Sequence, residues 1–364
     1  MKRRIVALAL ALMLLSAAAL GEGARVRVET VMDSGGAVGR YCVPEDWTVS
    51  SIVSVCGAGQ SLGRPIQLSI DATDGRAMLS YCSGQDYLQI VEYSLNGASV
   101  KQQEDGQWDS DTLTPMLSLH SAAGYADYLI KRLYPDEQIV IAEEKAVDAA
   151  RSNARAQELF DSTSAIFAAD PSFTVDDAFA DAAERTYTFT RDGTAYRATI
   201  AASVEAISVV QTAQLGFGDL RYAFISWTVP SVHALIAPEE DYARLRPAFD
   251  LFMLNTSASD SFNALALELS NQIREQVLAN RSLSGAESAC RGAISGLQDD
   301  PDGYRDERFT DYLLSQEDYA LSTGAHVKIP NTLDYVYADD AGNVYATNLA
   351  DDIPDGMHRI EKTK

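Results

Sequence analysis

The chain has 364 residues, with 52 acidic against 29 basic side chains and a formal net charge of −23 at pH 7. Nucleic acids and anionic membrane surfaces are bound by proteins whose Lys and Arg neutralise phosphates, so this acidity excludes both from the expected partners. The length exceeds the roughly 100 to 200 residues of an ordinary domain, and it predicts two core-bearing domains and a smaller terminal unit.

The first 24 residues have the pattern of a signal peptide. Lys2, Arg3 and Arg4 precede an apolar run over 5–15 and a stretch of small residues over 16–21. The apolar run is shorter than the roughly 20 residues of a membrane-spanning helix, and the sequence has no second run of that length. We therefore expect an exported protein, extracellular or associated with the cell envelope, whose mature chain has no transmembrane segment.

Residues 25–144 are predicted to form a first α+β domain. Strand-like runs lie over 40–43, 48–56, 65–70, 76–81 and 87–93, and the sequence from Asp71 to Gly75 predicts a hairpin turn. In the third run Ile66, Leu68 and Ile70 alternate with polar residues, which is typical of a strand with one buried face. A helix over 121–133 and a strand over 138–142 follow.

Residues 145–283 are predicted to form a second domain of the same class. A helix over 143–169 leads into two strands around 191–193, whose sequence Arg-Asp-Gly indicates a hairpin. The run 220–229 predicts a buried strand ending at Pro230. An acidic first turn after Pro238 predicts a helix that kinks or breaks at Pro247, and a second helix begins near Ser261.

Residues 284–364 are predicted to be a linker and a small β-rich tail. The linker is rich in Gly, Ser and Asp. The tail has strand-like runs over 327–330, 335–337 and 344–347, the last two joined by a turn over 339–343. The predicted fold class is therefore α+β, with two domains of antiparallel sheet and helices followed by this tail.

The four cysteines are Cys42, Cys56, Cys82 and Cys290. Export permits disulfides, and we expect one bridge among the first three, although the sequence cannot resolve the pairing. Buried free thiols are the alternative. The spacing matches no zinc site, and no cofactor is expected.

Two motifs suggest chemistry in this sequence. Gly59-Gln-Ser-Leu-Gly63 matches the nucleophile elbow of hydrolases and would make Ser61 the nucleophile, but a strand rather than the required helix follows. The alternative is a Gly-rich turn.

The four histidines lack the spacing of a helical metal site and are scattered along the chain, so we expect them at surface or half-buried positions. They are His120, His233, His326 and His358.

A calcium loop is the second motif. Asp300, Asp302 and Asp306 fall in an acidic run that resembles part of an EF-hand loop, but Gln298 and Phe309 occupy the positions of its first and last acidic ligands. A site built from oxygen ligands of another kind and a solvated acidic linker are both open.

The tail is rich in tyrosine. Tyrosine provides a large contact area with a polar tip, which suits a binding surface, whereas the same rings could also form the core of a β unit poor in aliphatic residues. The candidate binding residues are Tyr304, Tyr312, Tyr319, Tyr335, Tyr337 and Tyr345.

The tail also resembles a pattern found in exported bacterial proteins. The matching residues are Asp318-Tyr319, Gly324 with the strand 327–330, the strand 335–337, and Gly342-Asn-Val-Tyr345. In such proteins the tail follows domains similar to the PsbP fold, an antiparallel sheet flanked by helices. This resemblance implies the fold class and an extracytoplasmic location, and it implies no activity.

These observations favour a non-catalytic exported protein that acts as an interaction or binding module. Its expected partner is a protein or an envelope component of unknown identity. A secreted hydrolase using Ser61 and a protein binding a small ligand or calcium are the alternatives.

Overall fold

The computed structural model describes residues 24–55, 65–99, 103, 105–107, 114–146, 149–280, 293–297, 316–330, 333–348 and 353–362. Within these ranges antiparallel sheets combine with helices, which confirms the predicted α+β class. The helices are α1 (Ala122–Leu133), α2 (Ala149–Phe167), α3 (Glu239–Asn255) and α4 (Asp260–Asn280).

The large sheet has eight strands. They are β3 (Thr48–Val55), β4 (Ile66–Thr73), β5 (Met78–Leu95), β6 (Ala98–Ser99), β7 (Val140–Ala146), β8 (Phe173–Arg191), β9 (Thr194–Leu215) and β10 (Gly218–Pro238). Their order is β3-β4-β5-β10-β9-β8-β7, and β6 pairs with β5.

Within the described residues, the small sheet has six strands, β1 (Ala24–Asp33), β2 (Gly36–Pro44), β11 (Ser257–Ala258), β14 (Tyr335–Ala338), β15 (Val344–Thr347) and β16 (His358–Arg359). Their order is β11-β2-β1-β15-β14-β16. β12 (Gln316–Ala320) and β13 (His326–Pro330) pair in a separate ribbon.

Strands from both predicted domains share the large sheet. β5 lies in the first predicted segment and β10 in the second, and they pair from Leu95↔Leu220 to Met78↔Ile236. We therefore correct the expectation of a separate sheet in each segment. The alternation of polar and apolar residues identifies a strand and its buried face, but it does not identify the neighbouring strand.

The tail strands also join the N-terminal strands rather than forming a sheet of their own. Three residues of β15, Val344 to Ala346, pair with Val26 to Ala24 of β1. The predicted tail strands and the turn at 339–343 are confirmed, whereas the separateness of the tail is corrected. β1 and β15 lie at opposite ends of the chain, so no local pattern could predict their pairing.

The stretch 220–280 forms the strand, helix and helix that its pattern predicts. Pro230 does not end the strand. It lies where the register of β10 against β9 shifts, between Thr228 and Val232, and the missing N–H of a proline is tolerated at such an irregularity. Helix α3 continues through Pro247 without a break.

The main core lies between α3, α4 and the two sheets. Phe249, Phe252 and Phe262 are fully buried there against Leu68 and Ile70 of β4. Burial of one such side chain stabilises the fold by roughly 1.5 to 3 kcal/mol.

A buried polar segment, residues 255–259, connects α3 to α4; we call it the α3–α4 joint. The amide of Asn255 donates from Nδ2 to the Lys328 carbonyl at 2.7 Å and accepts from the Lys328 N–H at 2.7 Å. Asn255 is fully buried. The joint therefore fixes the tail strand β13 to the end of α3.

The next residues of the joint bind both sheets. The Cys42 N–H donates to Thr256 Oγ1 at 3.0 Å, and the Thr256 carbonyl lies 3.0 Å from His233 Nε2. The Ala258 N–H donates to the Tyr81 hydroxyl at 2.7 Å. Since each of these polar groups is paired, burying the segment costs little free energy. Its hydrogen bonds link the two sheets and the tail.

Candidate functional site

Several predicted site residues lie outside the described residues. They are Ser61, Asp300, Asp302, Asp306, Tyr304, Tyr312, Cys56 and Cys290, together with the predicted signal peptide up to residue 23. The hydrolase and calcium interpretations therefore stay predictions.

The remaining four predicted tyrosines lie in the folded tail. Tyr319, Tyr337 and Tyr345 are buried at 4%, 2% and 7% exposure. Tyr335 is partly exposed, with the guanidinium of Arg359 5.0 Å from its ring centre. This burial is what the core interpretation of these rings requires, and a binding role for them stays a prediction.

The four histidines differ in burial. His233 is buried, and because its Nε2 faces a carbonyl, that nitrogen donates and the ring is the neutral Nε2–H tautomer. Burial lowers the pKa of His233 to about 4. His120 is half-buried, His326 lies on β13, and His358 is exposed on β16.

Cys42 is a free, fully buried thiol, and burial raises its pKa to about 12. The expected bridge therefore does not involve Cys42. A thiol that stays protonated at neutral pH is a poor nucleophile, so Cys42 acts as a small core residue.

Aromatic and hydroxyl side chains cluster beneath α1. The Tyr125 hydroxyl donates to Gln85 Oε1 at 2.8 Å and lies 3.0 Å from the Tyr87 hydroxyl, and the Tyr87 ring stacks on Trp227 at 4.4 Å. Trp227 Nε1 donates to the Leu117 carbonyl at 3.0 Å. Every buried polar group named here has a partner.

Burial governs the acidity of this cluster. It raises the pKa of Tyr87 to about 12 and raises that of Tyr125 further, so both hydroxyls stay protonated and act as donors. Tyr125 is fully buried and Trp227 is 2% exposed. The cluster therefore holds α1 on the sheet, and it offers no reacting group to solvent.

The far end of β5, β9 and β10 combines two interlocked turns, a cleft and exposed apolar side chains. We call residues 90–99 and 215–224 the distal end. Two turns meet there: the Asn96 N–H donates to the Asp219 carbonyl at 2.8 Å, and Asn96 Oδ1 accepts from the Asp219 N–H at 2.9 Å. Gly218 has φ +152°, and a Cβ there would lie 2.3 Å from the Asn96 amide. Only glycine fits this approach, so the two turns are locked together.

The distal end contains a cleft of about 330 Å³ along the edge of β5. On one side β6 pairs with Ser94 and Leu95, and on the other Gln103 Oε1 accepts from the Ile90 N–H at 2.9 Å. The cleft thus runs along β5 between the pairing of this strand with β6 and its contact with Gln103. Its lining residues are Ile90, Val91, Glu92, Tyr93, Ser94, Gly97, Ser99 and Gln103.

One carboxylate of this cleft is held ionised. Glu92 accepts from Ser94 Oγ at 2.7 Å and from Arg221 Nε at 2.8 Å, and these two bonds lower the pKa of Glu92. Glu92 and Arg221 therefore form an ion pair at the distal end, and the guanidinium of Arg221 compensates the charge of this carboxylate.

The distal end also carries apolar and aromatic side chains. Phe217 is 73% exposed at the tip of the β9–β10 turn, and Val91 is 58% exposed on β5. Tyr222 packs at 5.0 Å from Tyr93 and stacks on Phe224 at 4.8 Å. Exposed apolar residues next to half-buried aromatic rings are typical of interaction surfaces.

The distal end was not identified from the sequence, which gave no role to Phe217. A phenylalanine between two glycines in a turn cannot reach a core, and this was the available signal.

Within the described ranges, no group of three or more His, Cys, Asp or Glu side chains is arranged to hold a metal ion. In the same part of the chain, no helix has the length and apolarity needed to cross a membrane.

No family model matches this chain, and no curated protein matches it. One solved structure similar to it is that of cyanobacterial PsbP (CyanoP) from Synechocystis sp. PCC 6803. The two chains are 13% identical, the match covers 65% of this chain and 93% of the other, and the TM-score is 0.23. The likeness of the predicted domains to the PsbP fold stays a prediction.

Proposed function

We propose that this protein is a non-catalytic, exported binding module that docks a partner protein on its distal end. The observation that supports the proposal is that Phe217 and Val91 are both exposed at the distal end, which also contains the cleft along β5. Exposing such side chains to water is unfavourable, and docking a partner would remove the cost.

The cleft favours an extended polypeptide as the bound segment. The cleft follows five consecutive residues of β5, 90–94, so it can accept a segment in an extended conformation, and the adjacent apolar residues would contact the side chains of that segment. The net charge of −23 favours a basic residue in that segment.

Site-specific photo-crosslinking tests this proposal. A photoreactive phenylalanine analogue replaces Phe217 in protein expressed by the producing cell. The control carries the analogue at Ile166 on α2, which is 75% exposed and therefore equally accessible. We expect a discrete covalent adduct from position 217 and none from position 166.

The identified partner is then purified and its binding measured by calorimetry. We expect Val91→Asp to weaken binding at least tenfold, since it places a charge in the apolar contact. Absence of an adduct at position 217, the same adducts at both positions, or an unchanged affinity of Val91→Asp would each refute the proposal.

A further inference from the structure

The edges of the two main sheets differ in their protection against pairing with other chains. The small sheet ends in β11 and β16, which have two residues each and are too short to template another strand. At one end of the large sheet β7 carries Glu143, Glu144 and Lys145 in succession, with a register shift after Ile141. Charges and bulges on an edge both disfavour association with another edge.

β3, at the opposite end of the large sheet, has neither device. Its eight residues, TVSSIVSV, include no charge, proline or glycine. Its register with β4 is unbroken from Thr48↔Thr73 to Val55↔Ile66, and within the described ranges β4 is its strand partner. Alternate residues of an edge strand direct their N–H and C=O groups outward, so β3 presents a regular row of donors and acceptors roughly 26 Å long.

The outer face of β3 also exposes an apolar side chain. Ile52 is 57% exposed, and Ser50 and Ser54 flank it on the same face. Val49 and Val53 point to the opposite face and pack on the main core. We propose that β3 is a self-association surface, on which β3 of a second copy of this chain pairs in antiparallel orientation.

A second copy of this chain can approach closely along β3 because this strand carries no charge. Each copy has a net charge of −23, so two copies repel each other wherever their acidic surfaces meet. Pairing β3 with itself places no charged side chains opposite one another in any register. Self-pairing of β7 would instead bring Glu143 and Glu144 close to the same residues of the other copy.

A two-fold axis perpendicular to the sheet gives a specific register. Centred on Ile52, it places Ile52 opposite Ile52 of the second copy, Ser50 opposite Ser54, and Val49 opposite Val55. Two eight-stranded sheets then become continuous. A contact along one strand is smaller than the roughly 800 Å² per partner of a standard interface, so the association is weak and depends on concentration.

Sedimentation equilibrium over a concentration series tests the proposal. We expect the apparent mass of the wild-type protein to rise toward twice the monomer mass, and that of Ile52→Lys to stay at the monomer mass. Val140→Lys is the matched control, since Val140 is 60% exposed on the protected edge β7. It should associate as the wild type does. Circular dichroism checks that both variants are folded.

A second measurement tests the register. Under mild oxidation, Ile52→Cys should form a covalent dimer, because a pair of residues facing each other across an antiparallel ladder lies within disulfide range. Val140→Cys carries the same native thiols and should not form it. A wild-type protein that stays monomeric at all concentrations, as it would if another part of the chain covered β3, overturns the proposal. Equal loss of dimer in both lysine variants, or a dimer that persists in Ile52→Lys, does so as well.

Discussion

His233 makes the stability of this fold depend on pH in a calculable way. Burial lowers its pKa from 6.5 to about 4, so the unfolded chain binds a proton at a pH where the folded chain does not. The folded pKa is depressed. The full stability is therefore present above pH 6.5 and is lost as the pH falls toward 4.

The size of this loss of stability follows from the pKa values of His233 in the unfolded and the folded chain. Between pH 7 and pH 4.5, proton binding to the unfolded chain lowers the free energy of unfolding by about 2 kcal/mol. The variant His233→Gln removes the titrating ring, and its amide N–H₂ can still donate to the Thr256 carbonyl.

The assay is urea unfolding of the wild-type protein and His233→Gln at pH 7 and pH 4.5. Carboxylates titrate alike in both proteins, so their effects cancel in the difference. We expect the wild-type advantage in the free energy of unfolding to shrink by about 2 kcal/mol between the two pH values. A difference that stays constant within about 0.5 kcal/mol would show that His233 is not held neutral by burial.

Three further variants test the packing by urea unfolding at pH 7. Arg246→Met should lower the free energy of unfolding by about 3 kcal/mol, because Arg246 binds both carboxylate oxygens of the buried Glu184 at 2.7 Å and its loss leaves that charge unpaired. Asn255→Ala should lower it by about 2 kcal/mol, since this change removes both hydrogen bonds to the Lys328 backbone. Gly39→Ala should lower it by about 1 to 3 kcal/mol, since the added Cβ would lie 2.6 Å from the Ser257 carbonyl oxygen.

Each of these variants has a matched control. Arg244→Met breaks only an exposed ion pair, Asn348→Ala removes an exposed hydrogen bond, and Gly216→Ala adds a Cβ with no atom within 4 Å. The controls should change the free energy of unfolding by less than about 1 kcal/mol. Equal effects in a variant and its control would contradict the packing described for that residue.

Local patterns predicted much of the fold. Asp192 and Gly193 both adopt positive φ, as the Arg-Asp-Gly hairpin signal requires, and Asp339 closes the tail turn through its side chain. Helices α1, α3 and α4 were predicted from apolar spacing and capping signals. These features depend on residues within a few positions of one another, so the sequence alone determines them.

Tertiary structure decided which strands are neighbours and which side chains remain exposed. β5 pairs with β10, and β1 with β15, through hydrogen bonds between backbone groups that are the same in every residue. Such pairing leaves no mark in the local pattern. The exposure of Ile52 on β3 and of Phe217 in the β9–β10 turn depends on those neighbours. The sequence by itself therefore determined the α+β class and its elements, and the fold decided the surfaces available for binding.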